Sequence, residues 1–343
     1  MKYKHIVLTR VGGPEVLQLR EDEIPEPRAG EIRVRILAAG VAFADVLMRH
    51  GKYPTMPPPP FTPGYDLVGI VEKCGVSVDE RLRGQTVAAF TRFGSYSQYC
   101  CLPEREVVPV PEHVDPAEAV SLVLNYVTAY QMLHRSAHIK TGERVLVHGA
   151  AGGVGTALLQ LGSLAHLEMY GTASRAKQQL VERLGATPID YTSEDFVARI
   201  RLLTGDGVDT VFDPIGGQHL QRSFQTLRSG GRLIIYGFSL ENLSGSNLPL
   251  VALRTLLQIA GWSILPNGKR VRWYSIAGGG FGLKDRHPEW FRADLTKLLE
   301  LLAEGRIKPV IAQRLPLEEA THAHEMLEHA RVQGKIVLIP NVS

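Results

Sequence analysis

The sequence predicts an α/β protein in which a doubly wound parallel sheet is joined to a second, β-rich domain. Three observations support this fold class. From about residue 143, apolar strands alternate regularly with helical segments, and a glycine-rich turn follows the first of these strands. Residues 1–125 instead contain short alternating runs that prolines interrupt.

The bulk composition is that of an ordinary globular protein, with 343 residues, 44% hydrophobic and 21% charged. The 38 basic and 35 acidic side chains are dispersed along the chain, so we expect no nucleic-acid partner. No stretch resembles a signal peptide or a membrane span. The three cysteines Cys74, Cys100 and Cys101 form no disulfide framework, which favours a cytoplasmic location.

The β-rich domain is predicted to occupy residues 1–125 and 266–343. Alternating runs predict strands over residues 32–37, 67–72 and 86–89. Beyond Trp262 the regular strand and helix alternation ends, and Ile336–Pro340 predicts a last strand that rejoins the first domain. The parallel-sheet domain is therefore expected over residues 126–265.

Regular alternation in the second domain predicts right-handed βαβ units, which build a doubly wound parallel sheet. The predicted strands are 143–148, 168–172, 187–190, 208–213 and 231–236. The predicted helices are 155–165, 177–185, 194–203 and 218–228.

The glycine-rich turn joins the apolar strand Val145–Val147 to a helix. Its sequence, residues 150–155, matches a G-x-G-x-x-G fingerprint with alanine at the first position. Gly152 would let the backbone approach a pyrophosphate, and Gly155 would let the helix pack closely on the strand. Because the amides at a helix start bind anions, the turn predicts a dinucleotide site and a redox enzyme, although a turn kept for packing is the alternative. The residues assigned to this site are Ala151, Gly152, Gly153 and Val154.

The end of the next strand indicates which dinucleotide is bound. A protein that prefers NAD usually carries a carboxylate about 20 residues past the glycines. Here the strand is followed by Ser174, Arg175 and Lys177. These side chains favour the 2′-phosphate of NADPH, whereas solvated surface charges are the alternative. Tyr191, after the third strand, is expected near the adenosine.

These motifs together resemble the medium-chain dehydrogenase/reductase superfamily and, within it, the zinc-independent NADPH:quinone oxidoreductases. The segments that carry the resemblance are Gly40–Asp45, Pro63–Gly69, Asn125–Tyr130, Ala150–Gly155 and Gly207–Gly217. Three stretches, Asn125–Tyr130, Pro188–Tyr191 and Asp213-Pro214, are most similar to the branch named for the vesicle amine transport protein.

The resemblance implies a Rossmann domain beside a GroES-like catalytic domain. It also implies a homodimer that pairs through the edges of the nucleotide-binding sheets, for which Gln258–Leu265 is the candidate edge strand. Thr128 is expected near the nicotinamide. Gly237 and Phe238 follow a parallel strand at its carboxyl end, where such sheets bind ligands, so they are expected to flank the nicotinamide.

The zinc enzymes of this superfamily have metal ligands at positions that correspond here to Ala42, Tyr65 with Asp66, and Leu124. One carboxylate cannot build a three-ligand zinc site, so we expect no catalytic metal. His148, beside the glycine turn, is interpreted as a buried core histidine rather than a proton donor.

Without a Lewis acid, the hydride acceptor must already be activated by conjugation, as in quinones and α,β-unsaturated carbonyls. Tyr53 and Tyr65 are the candidates for a proton donor or for the pocket wall, and Tyr65 could equally be a packed aromatic. Asp45 and Arg49 are expected to form an ion pair on one helix. The loop 278–282 is either a lid over the acceptor or a surface connection.

Two other functions stay open at this point. The first is an enoyl reductase that acts on a carrier-bound thioester. The second is a catalytically weak NADPH-binding regulator or adaptor, which the vesicle-protein resemblance and Ala42 both permit. The small-molecule acceptor itself cannot be identified from these residues.

Overall fold

The structure, a computed structural model, describes residues 1–53, 55–239, 248–277 and 282–341. The chain divides into two compact units. The first unit contains Met1–Val127 and Glu289–Ser343, and the second contains Thr128–Pro288.

Strands and helices alternate differently in the two units. In chain order the strands are β1 (Lys2–Leu8), β2 (Leu17–Glu23), β3 (Glu31–Val41), β4 (Asp66–Cys74), β5 (Thr86–Phe90), β6 (Tyr99–Pro103), β7 (Val107–Pro109), β8 (Arg144–Val147), β9 (Glu168–Ala173), β10 (Thr187–Asp190), β11 (Val208–Asp213), β12 (Leu227–Ile235), β13 (Arg270–Trp273), β14 (Ile311–Pro316) and β15 (Lys335–Ile339). The α-helices are α1 (Phe43–Arg49), α2 (Pro116–Ser121), α3 (Val127–Gln131), α4 (Gly153–Leu164), α5 (Gln178–Arg183), α6 (Phe196–Thr204), α7 (His219–Thr226), α8 (Leu248–Ser263), α9 (Leu283–Arg286), α10 (Pro288–Ala303) and α11 (Ala320–Glu328).

The first unit is built on a seven-stranded mixed sheet with the order β14-β15-β3-β4-β5-β7, and β6 also pairs with β3. The alternating residues of β3 explain this arrangement, because every second side chain from Ile32 to Ala38 is buried in the core. The three strands predicted here are confirmed within β3, β4 and β5. The predicted last strand is also confirmed, since β15 pairs with β3 through Ile336 and Val41.

The second unit contains a six-stranded parallel sheet with the order β10-β9-β8-β11-β12-β13. All five predicted strands and all four predicted helices are present, so the predicted doubly wound sheet is confirmed. Leu146, Val211 and Leu233 lie in the core of this unit together with Ile200 and Phe224 from the helices. This order places the ends of β8 and β11 side by side, at the point where the strand order of the sheet reverses.

The expectation of an edge strand over Gln258–Leu265 is wrong. Residues 248–263 form helix α8, and the edge strand is β13, which pairs with β12. Leucines at positions 253, 256 and 257 have helical spacing, and this period is the reason for the helix. Because β13 joins the parallel sheet, residues 266–288, which the sequence analysis assigns to the first domain, belong to the compact unit around that sheet.

The sequence analysis expects no membrane span and offers the loop 278–282 as a possible lid. Within the described residues, every helix is too short or too polar to cross a bilayer. The loop proposed as a lid, 278–282, lies outside the described residues except for Gly282.

Candidate active and cofactor-binding site

The glycine-rich turn connects β8 to α4 at the carboxyl edge of the parallel sheet. Gly149 adopts a positive φ of 64°, and Gly152 caps the helix that starts at Gly153. A Cβ on Gly155 would lie 2.2 Å from the carbonyl oxygen of Gly149, so this position admits no side chain. This contact is the physical reason for the third glycine of the fingerprint.

The first turn of α4 offers backbone donors to an anion. The amide of Gly152 donates to the Gly149 oxygen at 2.9 Å, while the next three amides have no partner within the helix. These amides belong to Gly153, Val154 and Gly155, and the buried Ala151 lies two residues before Gly153. The positive end of the helix dipole adds to their attraction for a phosphate.

The end of β9 carries the predicted 2′-phosphate residues. Ser174 caps a short 3₁₀ helix, Arg175–Lys177, but its side chain makes no capping hydrogen bond. Arg175 is exposed and Lys177 is half-buried. Burial lowers the pKa of Lys177, and an anion beside it would favour its charged form.

The sequence analysis missed a carboxylate beside these cations. Asp190 ends β10 and is paired with Ala173 of β9. Its Oδ1 accepts from the Thr192 amide at 3.0 Å and from the Thr192 hydroxyl at 2.6 Å, and its Oδ2 accepts from Ser193 at 3.0 Å. These bonds engage both carboxylate oxygens within the chain. Tyr191 follows directly and is exposed.

Gly237 and Phe238 follow β12 at the same edge of the sheet. The ring of Phe238 packs on Trp273, with a centroid distance of 5.2 Å. It also covers Gly216, where a Cβ would lie 2.2 Å from the ring. The loops after β11 and β12 are therefore packed together. Thr128, the other residue predicted near the nicotinamide, is buried in α3 between two π-helical turns, Leu122–Tyr126 and Met132–Ala137.

In the first unit, Tyr53 and Tyr65 meet edge to face. Their ring centroids are 6.1 Å apart, and Tyr65 makes a similar contact with Phe90 at 5.5 Å. Tyr65 directly precedes β4 and is only 3% exposed, whereas Tyr53 is partly exposed. The structure thus brings the two candidate side chains together.

The two phenols lie in an environment that favours their neutral forms. Burial is the main cause that raises the pKa of both Tyr53 and Tyr65. The neighbouring phenol adds to the rise for Tyr65 and opposes it for Tyr53. Both side chains therefore keep their protons at neutral pH, and either can act as a hydrogen-bond donor.

The expected ion pair between Asp45 and Arg49 is wrong. Asp45 lies in the first turn of α1 and accepts from the amides of Ala42 at 2.9 Å and Gly64 at 3.2 Å, and from Tyr96 at 3.1 Å. A carboxylate at this helical position bends back to the helix start. Arg49, fully buried one turn later, donates to the Gly12 oxygen at 2.9 Å and pairs with a glutamate of α11.

The residues at the expected zinc-ligand positions have other partners. Ala42 caps α1 and has no ligating atom. Asp66, the one carboxylate, is completely buried and pairs with Lys335 of β15 at 3.1 Å. Nothing in the sequence pattern revealed this ion pair, because its two residues are 269 positions apart.

Comparison with known proteins agrees with this architecture. Residues 28–112 match the alcohol dehydrogenase GroES-like domain family, and residues 184–338 match the zinc-binding dehydrogenase family. The two units therefore define a medium-chain type of dehydrogenase or reductase, with a Rossmann domain and a GroES-like domain.

Individual relatives place the chain more closely. It is 34% identical to the synaptic vesicle membrane protein VAT-1 homolog of Rattus norvegicus, over 98% of this chain and 83% of that one. It is 32% identical to the quinone oxidoreductase of the same species, over 96% and 95% of the two chains. The crystal structure of Escherichia coli quinone oxidoreductase complexed with NADPH has a TM-score of 0.85 and 31% identity, over 98% of this chain and 100% of that one. The chain belongs to the medium-chain dehydrogenase/reductase superfamily, among the VAT-1 homologues and quinone oxidoreductases.

Proposed function

We propose that this protein is an NADPH-dependent reductase that transfers hydride to a quinone or an α,β-unsaturated carbonyl without a catalytic metal ion. One observation carries this proposal. Where the zinc enzymes of the superfamily have metal ligands, this chain has Ala42, Leu124, the buried Tyr65, and an Asp66 that forms an ion pair with Lys335. No three-ligand site can form from this set.

The residues of the second unit fit a dinucleotide with an additional phosphate. The amides of Gly153 and Val154 would hold the pyrophosphate, and the packed contact at Gly155 keeps the turn in the required shape. Arg175 and Lys177 would attract the 2′-phosphate, helped by the Ser174 hydroxyl. Asp190 already accepts three hydrogen bonds from Thr192 and Ser193, which leaves it less acceptor capacity for a ribose hydroxyl of the non-phosphorylated dinucleotide.

When bound, NADPH supplies the hydride, which carries two electrons and one hydrogen. The second hydrogen must arrive as a proton on the oxygen that becomes negative. Tyr53 would donate this proton through its O–H, and Tyr65 would position the Tyr53 ring through their edge-to-face contact. Burial of the Tyr65 and Phe90 rings excludes water from one side of this pair.

An anaerobic assay of cofactor oxidation tests this proposal. Purified enzyme is mixed with NADPH or NADH and with a panel of quinones, enones and enoyl thioesters, while zinc is measured on the same preparation. We expect turnover of quinones or enones, a lower KM for NADPH than for NADH, and activity that survives dialysis against a chelator.

Each other outcome would select a different function. Turnover confined to enoyl thioesters would identify an enoyl reductase. Tight NADPH binding without turnover of any acceptor would identify a cofactor-binding regulator or adaptor. Loss of turnover on chelation, in protein whose melting curve shows that it is still folded, would overturn the metal-free mechanism.

We also propose that two copies associate through the open edge of the parallel sheet. The outer edge of β13 carries the half-exposed Trp273, and helix α8 next to it exposes Leu253, Leu256 and Leu257 to 52–64%. Exposed leucines at helical spacing form an apolar surface of the kind that interfaces cover. Light scattering should give twice the chain mass, and Leu256→Glu should give a monomer. A wild-type monomer at micromolar concentration would reject the dimer.

A further inference from the structure

Three side chains that can each ligate a metal ion meet in the second unit. They are His148, Asp213 and His219, and their ligand atoms lie within 4.8 Å of one another. His148 follows β8, Asp213 ends β11 and His219 begins α7. His148 is fully buried, as the sequence analysis expects. The same analysis missed the other two residues, because only the parallel pairing of β8 and β11 brings them to His148.

The hydroxyl of Ser223 adds a fourth possible ligand atom to this group. Ser223 Oγ lies 2.6 Å from Asp213 Oδ2, 3.1 Å from His148 Nε2 and 3.3 Å from His219 Nδ1. Asp213 Oδ2 and His219 Nδ1 are 2.8 Å apart. A tetrahedral ion with bonds of ~2.0–2.1 Å needs donors separated by roughly 3.3 Å. The four atoms lie at 2.6–3.3 Å from one another where they are hydrogen-bonded, so an ion would replace these bonds after the donors move apart by a few tenths of an ångström.

Contacts around the site orient the ligand atoms of His148 and Asp213 towards one another. Thr172 Oγ1 lies 3.0 Å from His148 Nδ1, which leaves His148 Nε2 facing inward. The amides of Ile215 and Gly216 bond to Asp213 Oδ1 at 2.7 and 3.1 Å, which leaves Oδ2 facing inward. Outer-shell bonds of this kind orient the ligands in known metal sites.

The charge of the site also suits a cation. Within the described chain, no lysine or arginine forms an ion pair with the completely buried carboxylate of Asp213. The side chain of His219 is 20% exposed, which gives an ion an entry path.

We propose that His148, Asp213 and His219 bind one divalent transition-metal ion of the zinc class, with Ser223 as the fourth donor. Two imidazoles and a carboxylate are typical zinc ligands. The ion would join the ends of two central strands to the start of α7 and would have a structural role. This site contains none of the residues at the expected catalytic zinc positions, and the inference is independent of the proposed reductase activity.

Cobalt binding tests this proposal, because Co²⁺ replaces Zn²⁺ and its visible absorption reports tetrahedral coordination. The full-length protein is stripped with a chelator and titrated with Co²⁺ and then with Zn²⁺. The variants are His219→Ala and His219→Gln, and His322→Ala, which removes an exposed histidine of α11, is the matched control. Circular dichroism and melting curves without metal establish that each variant is folded.

We expect one tetrahedral Co²⁺ per chain in the wild type and in His322→Ala, displaced by Zn²⁺. Both His219 variants should bind at least about tenfold more weakly. Zinc should raise the melting temperature of the wild type but not of the His219 variants. The proposal is overturned if the wild type gives no tetrahedral spectrum at millimolar metal, or if a folded His219 variant binds as tightly as the wild type.

Discussion

Replacing Gly155 by alanine tests the packing of the glycine-rich turn. The new Cβ would lie 2.2 Å from the Gly149 oxygen and 2.7 Å from the Ala150 Cα, both backbone atoms, whereas real Cβ contacts essentially never fall below 3.0 Å. Overpacking of this kind costs about 1–3 kcal/mol or more, and the better helix propensity of alanine returns about 1 kcal/mol. Because both overlaps are with backbone atoms, the cost lies at the upper end of this range, and we expect a net loss of about 2 kcal/mol, together with a shifted turn that binds NADPH at least about tenfold more weakly.

Two matched variants separate the causes. Gly152→Ala meets only the Gly149 oxygen, at 3.3 Å, so it should fold nearly as well as the wild type but still weaken NADPH binding. Gly261→Ala in α8 meets nothing within 4 Å and should be neutral or stabilising by about 0.5–1 kcal/mol. Melting curves and NADPH titration by fluorescence measure both effects. The reasoning is refuted if Gly155→Ala melts like the wild type and binds NADPH unchanged.

Three further predictions follow from the same structure. Arg175→Ala should raise the KM for NADPH about tenfold and leave that for NADH unchanged, whereas Arg183→Ala, an exposed control in α5, should change neither; equal effects on both cofactors would exclude a phosphate contact. Tyr53→Phe should lower kcat about 100-fold and Tyr65→Phe about tenfold, and the reverse order in steady-state kinetics would assign the proton donor to Tyr65. Lys335→Met leaves the buried Asp66 carboxylate unpaired and should cost about 3–5 kcal/mol at pH 8. Loss of the cation raises the folded-state pKa of Asp66, so the stability of the variant in urea titrations should recover as the pH falls towards the pKa of the carboxyl in the unfolded chain. A loss of stability that does not depend on pH would contradict this account.

The parallel sheet could be predicted from the sequence because its signals are local. Val145–Val147 and the turn after it carry their own period and glycines, and the strand boundaries agree with the prediction to within a few residues except at the start of β12. The predicted edge strand was wrong because the local signals in that part of the chain do not indicate where the sheet ends. The leucines of α8 have a helical period, while the actual edge, Arg270–Trp273, is a four-residue segment with three exposed positions and little periodicity.

The candidate site could be predicted only where its residues lie close together in the sequence. The glycine turn and the basic residues after β9 are such motifs, and their assignment to NADPH stays a prediction. The partner of Tyr65, the Asp66–Lys335 pair and the carboxylate at Asp190 depend on pairing between distant segments. A pattern search along one strand cannot find these contacts, because the sheet register that creates them is not a local property.

The pairing of β15 with β3 has a consequence for synthesis on the ribosome. Asp66 is translated 269 residues before Lys335, its only ammonium partner among the described contacts. Until that lysine leaves the exit tunnel, the nascent first unit lacks both a central strand and the counter-ion of a buried acid. The second unit, whose strands are contiguous in the chain, can complete its sheet earlier. Premature termination before residue 335 should therefore yield a product in which the second unit is folded and the first unit stays incomplete and bound to chaperones.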